Sequence, residues 1–244
     1  MSPAAEVGHL LHLYWVQERR TLQFMIVNSF LVPGTIAYLG WMLVPDDPVA
    51  LRHWMAGSIA FGLGMGGLAQ VGFGILNDRF LGRLDLIRTS PISKRGYYAA
   101  QITLAVGVAL LLISVSLLLL ALLGVARLTP AGVTSALLTA VCAGTSIGGL
   151  GAVIAFRARD FDLGNTLVAI SALGLAAGSP VFYDIDALPR LLHPLAWASP
   201  FTHIAPLLRA TLAGAEVPIA PLAATLLLAV VLNAASYRYS RWST

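Results

Sequence analysis

Gly144-Thr145-Ser146-Ile147-Gly148 fits the G-x-S-x-G pattern of a nucleophilic serine, and Asp184, Asp186 and His193 follow in the chain order of an α/β-hydrolase triad. That chemistry needs the serine on a sharp strand-to-helix turn. Here the pentapeptide lies inside a glycine-rich apolar run, so an intramembrane serine hydrolase is only a distant alternative. His9 and His12 stand one helical turn apart, but no third ligand accompanies them and no metal is expected. A phosphate-cradling loop would need GxxxxGK[ST]. The single lysine, Lys94, lies in "ISKRG", so ATP hydrolysis is not expected from this chain, nor is a bound cofactor. What remains is a concentration of charge. Asp78, Arg79, Arg83, Asp85, Arg88, Lys94 and Arg95 fall within residues 77–98, in a chain with only 15 basic and 11 acidic residues.

The surroundings of that stretch are oily. The 244 residues are 58% hydrophobic and 11% charged, with mean hydropathy +0.82, where a soluble domain carries about 25% charged residues. This is the composition of an integral membrane protein. The net charge of +4 reads as the Lys and Arg excess of membrane proteins rather than as a nucleic-acid surface. Cys142 is the one cysteine, which excludes an internal disulfide; in its apolar run it reads as a small core residue.

Spans of about twenty apolar residues are expected at about 22–44, 54–76, 98–124, 131–156, 164–181 and 217–237. The chain is read as a single transmembrane domain over 1–244. A cytoplasmic amphipathic helix occupies 1–21, six spans occupy 22–237 and a cytoplasmic tail occupies 238–244. With the N-terminus inside, the inner connections hold 11 Arg and Lys and the outer ones 4, which sets both termini and residues 77–98 on the cytoplasmic side. Gly62 with Gly66, and Gly144 with Gly148, have GxxxG spacing. They read as close helix packing within one bundle, with a dimer seam as the weaker alternative. Between the fifth and sixth spans, Pro189, Pro194, Pro200 and Pro206 cut the chain into short pieces, expected as re-entrant or interfacial helices on the outer face.

Within the charged stretch, Phe80, Leu84 and Ile87 recur at i, i+4, i+7, the mark of a short amphipathic helix over 78–88. Ser90-Pro91 ends it, with Ser90 expected to cap the third span. Arginines on lipid phosphates are one use for such a helix. The mixed signs favour a protein partner of mixed charge.

This helix, followed by "RTSPISKRGYY" and a long apolar span, resembles the loop after the second span of ABC-2 type transporter permeases. The late segment "SPVFYDIDALPRLLHPLAWASPFTHIAPLLRATL" resembles that family's region between its fifth and sixth spans. The resemblance covers essentially the whole chain. It implies an all-α membrane protein of the type V exporter-like architecture: six transmembrane helices, an N-terminal amphipathic connecting helix (Leu10 to Arg20), a coupling helix after the second span and re-entrant helices before the sixth.

It also implies a half-transporter in a bacterial plasma membrane, paired with a second permease, homodimeric or sibling, and with two copies of a cytoplasmic ATP-binding subunit. ATP and Mg would belong to that partner. The partner interface would comprise Asp78, Arg79, Arg83, Leu84, Asp85 and Arg88, with Arg157 and Asp160 from the second cytoplasmic contact, "RARDFDL". Asn28, Phe61, Gln70, Phe73 and Asn165 would line the substrate pathway between the permeases. Tyr183, Asp184, Pro189 and Pro200 would belong to the external lid. The implied activity is export of a hydrophobic or amphipathic, drug-like small molecule, with a lipid-linked saccharide or lipid as the alternative cargo.

Overall fold

The computed structural model describes residues 3–44, 47–127, 129–183 and 185–240, apart from the side chains of residues 3–4, 15–26, 28–30, 32–33 and 176. Every regular element among the described residues is helical. Helix α1 (Pro3–Leu43) is followed by α2 (Pro48–Leu63), which passes through a π-helical turn, Gly64–Leu68, into α3 (Ala69–Phe80). Then come α4 (Arg83–Thr89), α5 (Lys94–Leu122), α6 (Pro130–Arg157), α7 (Phe161–Gly178), α8 (His193–Ala198), α9 (Pro200–Ala213) and α10 (Ile219–Tyr239).

Four of these helices, among the described residues, are long and apolar enough to cross a membrane: the continuous Pro48–Phe80, α5, α6 and α10. Shorter apolar stretches lie at Gly34–Leu43 in α1 and in α7. At 18 residues, α7 is about 27 Å long, close to the thickness of a bilayer core. The sequence boundaries for these helices, α1 excepted, fall within six residues of the observed ends.

Three expectations change. The amphipathic segment Leu10–Arg20 and the first span are one unbroken 41-residue helix. Its N-terminal part is fixed by burial of Leu10 and Tyr14 against the bundle. The helix expected over 78–88 is split. Helix α3 ends at Phe80, Gly82 takes the left-handed conformation (φ 77°), and α4 begins at Arg83. Only glycine adopts that backbone freely, so the chain turns there and Asp78 and Arg79 stay with the long helix. The cap of α5 also moves. Ser90 Oγ donates back to the Ile87 carbonyl at 2.6 Å, whereas Ser93 accepts from the Gly96 amide at 3.0 Å as the true N-cap.

Helix α6 is the centre, packing against α5, α10, α9 and α3. Its glycines make this possible. A Cβ on Gly144 would come within 2.6 Å of Val106 Cα on α5, and one on Gly151 within 2.6 Å of the Leu68 carbonyl oxygen. Gly144 and Gly148 therefore serve packing inside one chain, where close backbone approach replaces the hydrophobic drive that lipid does not supply. Burial grades outward, from 83% of the apolar window of Pro48–Phe80 to 17% in α10. Leu226, Leu227, Val230 and Val231 of α10 face outward, as do Leu118, Leu119 and Leu122 of α5.

Three of the four prolines after α7 act as expected on local structure; Pro206 does not cut the chain and lies inside α9. Residues Ile185–Ala187 and Arg190–Leu192 form single 3₁₀ turns. Pro194 and Pro200 stand in the first turns of α8 and α9. Helix α9 is amphipathic and buries Phe201, Ile204, Leu207 and Leu208 completely. Its 14 residues rise about 21 Å, too short to cross a membrane alone.

Gly144→Ala is expected to destabilise the protein by about 1–3 kcal/mol through overpacking against α5. Gly107→Ala, where no atom lies within 4 Å of the new methyl, should cost nothing; thermal unfolding of the two variants in detergent compares them.

Candidate functional site

The two ends of the bundle differ. At the charged end meet the N-terminal turns of α1, the α3–α4–α5 corner, the α6–α7 connection and the C-terminus of α10. At the far end the α5–α6 connection meets α9, with Arg127 N donating to the Leu212 carbonyl and Thr129 Oγ to the Gly214 carbonyl. Arg79, Arg83, Arg88, Lys94, Arg95, Arg157 and Arg159 all belong to the charged end.

Asp78 organises this end. It is 0% exposed, and its Oδ2 accepts from the hydroxyls of Tyr14 (2.7 Å) and Tyr97 (2.9 Å) and from Gln101 Nε2 (3.3 Å). Arg83 Nε stands 3.5 Å from Oδ1. One carboxylate thus joins α1, α3, α4 and α5. Its expected place on a partner-facing surface is corrected: the residue points into the bundle, because α3 carries it there before the chain turns at Gly82. Arg79 likewise turns inward to the α6 C-terminus, donating to the carbonyls of Ala155 and Ala158 and lying over the Phe80 ring at 4.9 Å. Leu84 is buried and seats α4 on the bundle.

The outward face of α4 consists of Asp85, Leu86 and Thr89, with Leu86 72% exposed. Arg88 Nη1 donates to Asp85 Oδ1 at 3.1 Å. Beside α4 runs the α6–α7 connection. There Arg157 lies 4.6 Å over the Tyr239 ring and Asp160 caps α7 by accepting from Leu163 N at 2.7 Å. Both predicted cytoplasmic contacts therefore border one cavity of about 870 Å³, lined by Arg79, Leu84, Asp85, Arg88 and Phe156 together with Arg157, Ala158, Arg159 and Tyr239. Of the eight residues assigned to a partner interface, Arg79, Leu84, Asp85, Arg88 and Arg157 meet here.

Nearby, Glu6 Oε2 accepts from Ser93 Oγ (2.6 Å) and Ser93 N (3.1 Å), tying α1 to the start of α5. These donors, hydroxyl first, hold the Glu6 carboxyl below the usual carboxylate range.

The pathway residues are not brought together. Phe61 and Gln70 are buried within the chain, Phe73 is half-buried and Asn165 is exposed at the start of α7; the side chain of Asn28 lies outside the described residues. None of the other four lines either large cavity. The second cavity, about 510 Å³, lies at the far end between α1, α2 and α5. Its lining includes Gly34, Tyr38, Trp41, Met55, Ser58 and Ser116, and no charged residue among those described. Of the lid residues, Tyr183 donates to the Ala177 carbonyl at 3.0 Å, Pro189 precedes the second 3₁₀ turn and Pro200 opens α9; Asp184 lies outside the described residues. Arg209 Nη2 anchors the same region by donating to His53 Nε2 (2.7 Å) and to the carbonyls of Pro180 and Val181.

The G-x-S-x-G serine does not have catalytic geometry. Ser146 is buried in an unbroken helix with Oγ donating to the Cys142 carbonyl at 2.8 Å, and His193 Nε2 faces the Leu188 carbonyl. Sequence reasoning also missed Asn233, whose Nδ2 donates to the Thr145 and Ala229 carbonyls and whose Oδ1 accepts from Tyr98. An amide in the middle of an apolar span was the available signal.

An all-helical chain with several membrane-length apolar helices and a charged end defines a multi-pass membrane protein. A family profile described as ABC-2 type transporter matches residues 11–213. The chain belongs to that family and is a permease subunit of an ABC transporter, working with an ATP-binding partner. No curated protein matches it.

Asp78→Ala is expected to cost about 2–4 kcal/mol, because it leaves two buried hydroxyls without their acceptor and removes the partner of the part-buried Arg83; detergent-based thermal unfolding would register it. The Glu6–Ser93 tie gives a pH effect. Since the folded carboxyl titrates below its unfolded value of about 4.3, its contribution is complete above that pH and is lost as pH falls through the lower, folded value. Glu6→Gln should remove this acid-side slope in an unfolding titration.

Proposed function

We propose that the chain forms half of an ATP-driven exporter with six membrane-crossing segments, α1 and α7 among them, and with the charged end in the cytoplasm. The observation that carries this reading is the outward face of α4. It is a seven-residue helix held rigidly by Leu84, Ile87 and the Arg83–Asp78 pair, yet it presents Asp85 and a bare Leu86 beside the α6–α7 connection. An exposed apolar residue flanked by both charge signs suits a protein groove. A cytoplasmic ATP-binding subunit, two per transporter, would push on α4, and the chain itself would hydrolyse no ATP. Because α4 is locked to α1 and α5 through Asp78, its displacement would tilt those helices together and switch access from inside to outside. A second permease, a copy or a sibling, would cover the exposed apolar faces. The short helices before α10, anchored by Arg209, would form a re-entrant external lid.

The cargo proposed is an uncharged hydrophobic or amphipathic small molecule. The support is the second cavity, whose volume suits one such ligand and whose polar side-chain groups are the hydroxyls of Tyr38, Ser58 and Ser116 and the indole N–H of Trp41. Gly34 lines that cavity with nothing within 4 Å of its Cβ position. Gly34→Leu should therefore fill it without a clash and lower vesicle efflux of an apolar dye severalfold.

Coupling is tested on exposed positions, since Arg83→Glu would set a like charge against buried Asp78. Asp85→Arg combined with Leu86→Glu should abolish ATP-dependent efflux and co-purification of the ATP-binding subunit, with an unchanged gel-filtration profile. Full efflux in that variant would remove α4 from the mechanism.

A further inference from the structure

The 870 Å³ cavity has a charge imbalance that coupling does not use. Four guanidinium groups line it, from Arg79, Arg88, Arg157 and Arg159, against one carboxylate, Asp85. The sequence mixes signs in this region, but the fold separates them: Asp78 is withdrawn into the bundle and Asp85 is paired with Arg88. Arg157 and Arg159 are exposed and have no hydrogen-bond acceptor among the described residues. Arg157 Cζ lies 4.6 Å over the Tyr239 ring, a contact that leaves guanidinium N–H groups available to a ligand.

The depth of the cavity bears on its occupant. Its walls are the last turns of α6 and α10, where the apolar helices end. Arg157 over Tyr239, Lys94 over Tyr237 and Arg79 over Phe80 all cluster at this level. Aromatic rings and cations at the ends of apolar helices mark the headgroup layer, and a basic pocket between such helices suits a phosphate-bearing headgroup. Guanidinium binds phosphate oxygens in pairs. The Phe156 and Tyr239 rings would flank the glycerol and upper acyl region.

We infer that this cavity holds the phosphodiester headgroup of an anionic phospholipid from the adjacent leaflet, beside α4. The bound lipid would neutralise the arginines and fix the α6–α7 connection against α4 and α10. The inference does not require α4 to be the coupling element, so it is tested on the permease alone.

The purified full-length chain is exchanged from nanodiscs of phosphatidylglycerol or of phosphatidylcholine into mild detergent, and retained lipid is read by native mass spectrometry. About one phosphatidylglycerol per chain should survive, and phosphatidylcholine should not. Arg157→Ala with Arg159→Ala should weaken retention about thirtyfold. Both positions are exposed, and gel filtration checks the fold. Asp85→Asn, which removes the one lining carboxylate, should strengthen retention. Equal retention of both lipids, or unchanged retention in the double variant, overturns the proposal. Displacement of the lipid by millimolar inorganic phosphate would make this a free-anion site instead. If the double variant retains the lipid but, in a separate pull-down from membranes, loses the ATP-binding subunit, the cavity is a protein socket.

Discussion

A carboxylate with no access to water must be met by donors, and most of the charged end is arranged to meet Asp78. Burying an ionised group costs several kcal/mol unless hydrogen bonds and opposite charge compensate. Two tyrosines, a glutamine and an arginine converge on it from three other helices. Each donor's helix is constrained in turn. Tyr14 sets the position of the first turns of α1, Tyr97 and Gln101 set the rotation of α5, and Arg83 sets the start of α4. Gly82 makes the geometry possible, because its left-handed backbone lets α4 fold back beside the residue that α3 has just buried.

The same logic applies where charge is absent. In lipid the helices gain little by burying leucine, so α6 gains contact through glycine. Its small face lets the backbones of α5 and the π turn approach to atomic contact. Polar side chains then fix the register: Asn233 bridges α10 to α6 and Tyr98 of α5, and Ser135 bonds Thr211 of α9 at 2.9 Å. Residues that would merely be solvated in a soluble protein here specify which helices meet. The outer faces of α1, α5 and α10 keep large aliphatic side chains exposed because lipid can solvate them.

Helix existence and order were legible in the sequence because a twenty-residue apolar run has few alternatives. The interruption at Gly82 was not, since Phe80, Leu84 and Ile87 kept a helical spacing across it; periodicity sees side chains and not the sign of φ. For the same reason Asp78 looked like part of the partner-facing surface. Its inward direction depends on where α3 stops, a boundary that local pattern fixes only to a few residues. The proline-rich segment after α7 was legible as short pieces, but the burial of α9 is a tertiary outcome. The pathway residues were chosen for polarity within spans. Gln70 and Phe61 show that such residues serve packing as readily as a conduit.

The charged end therefore does two electrostatic jobs with one set of arginines. Arg79 and Arg83 are spent inward, on the α6 carbonyls and on Asp78, and make the end rigid. Arg157 and Arg159 stay outward, and neither makes an ion pair among the described residues. A rigid inner set and a receptive outer set are what a force-transmitting surface needs. Four guanidinium groups against Asp85 leave the cavity at +3, and Asp78 in its wall would lower that to +2. Burial of that one acid ties α4 to α1 and α5 and leaves the cavity more strongly basic.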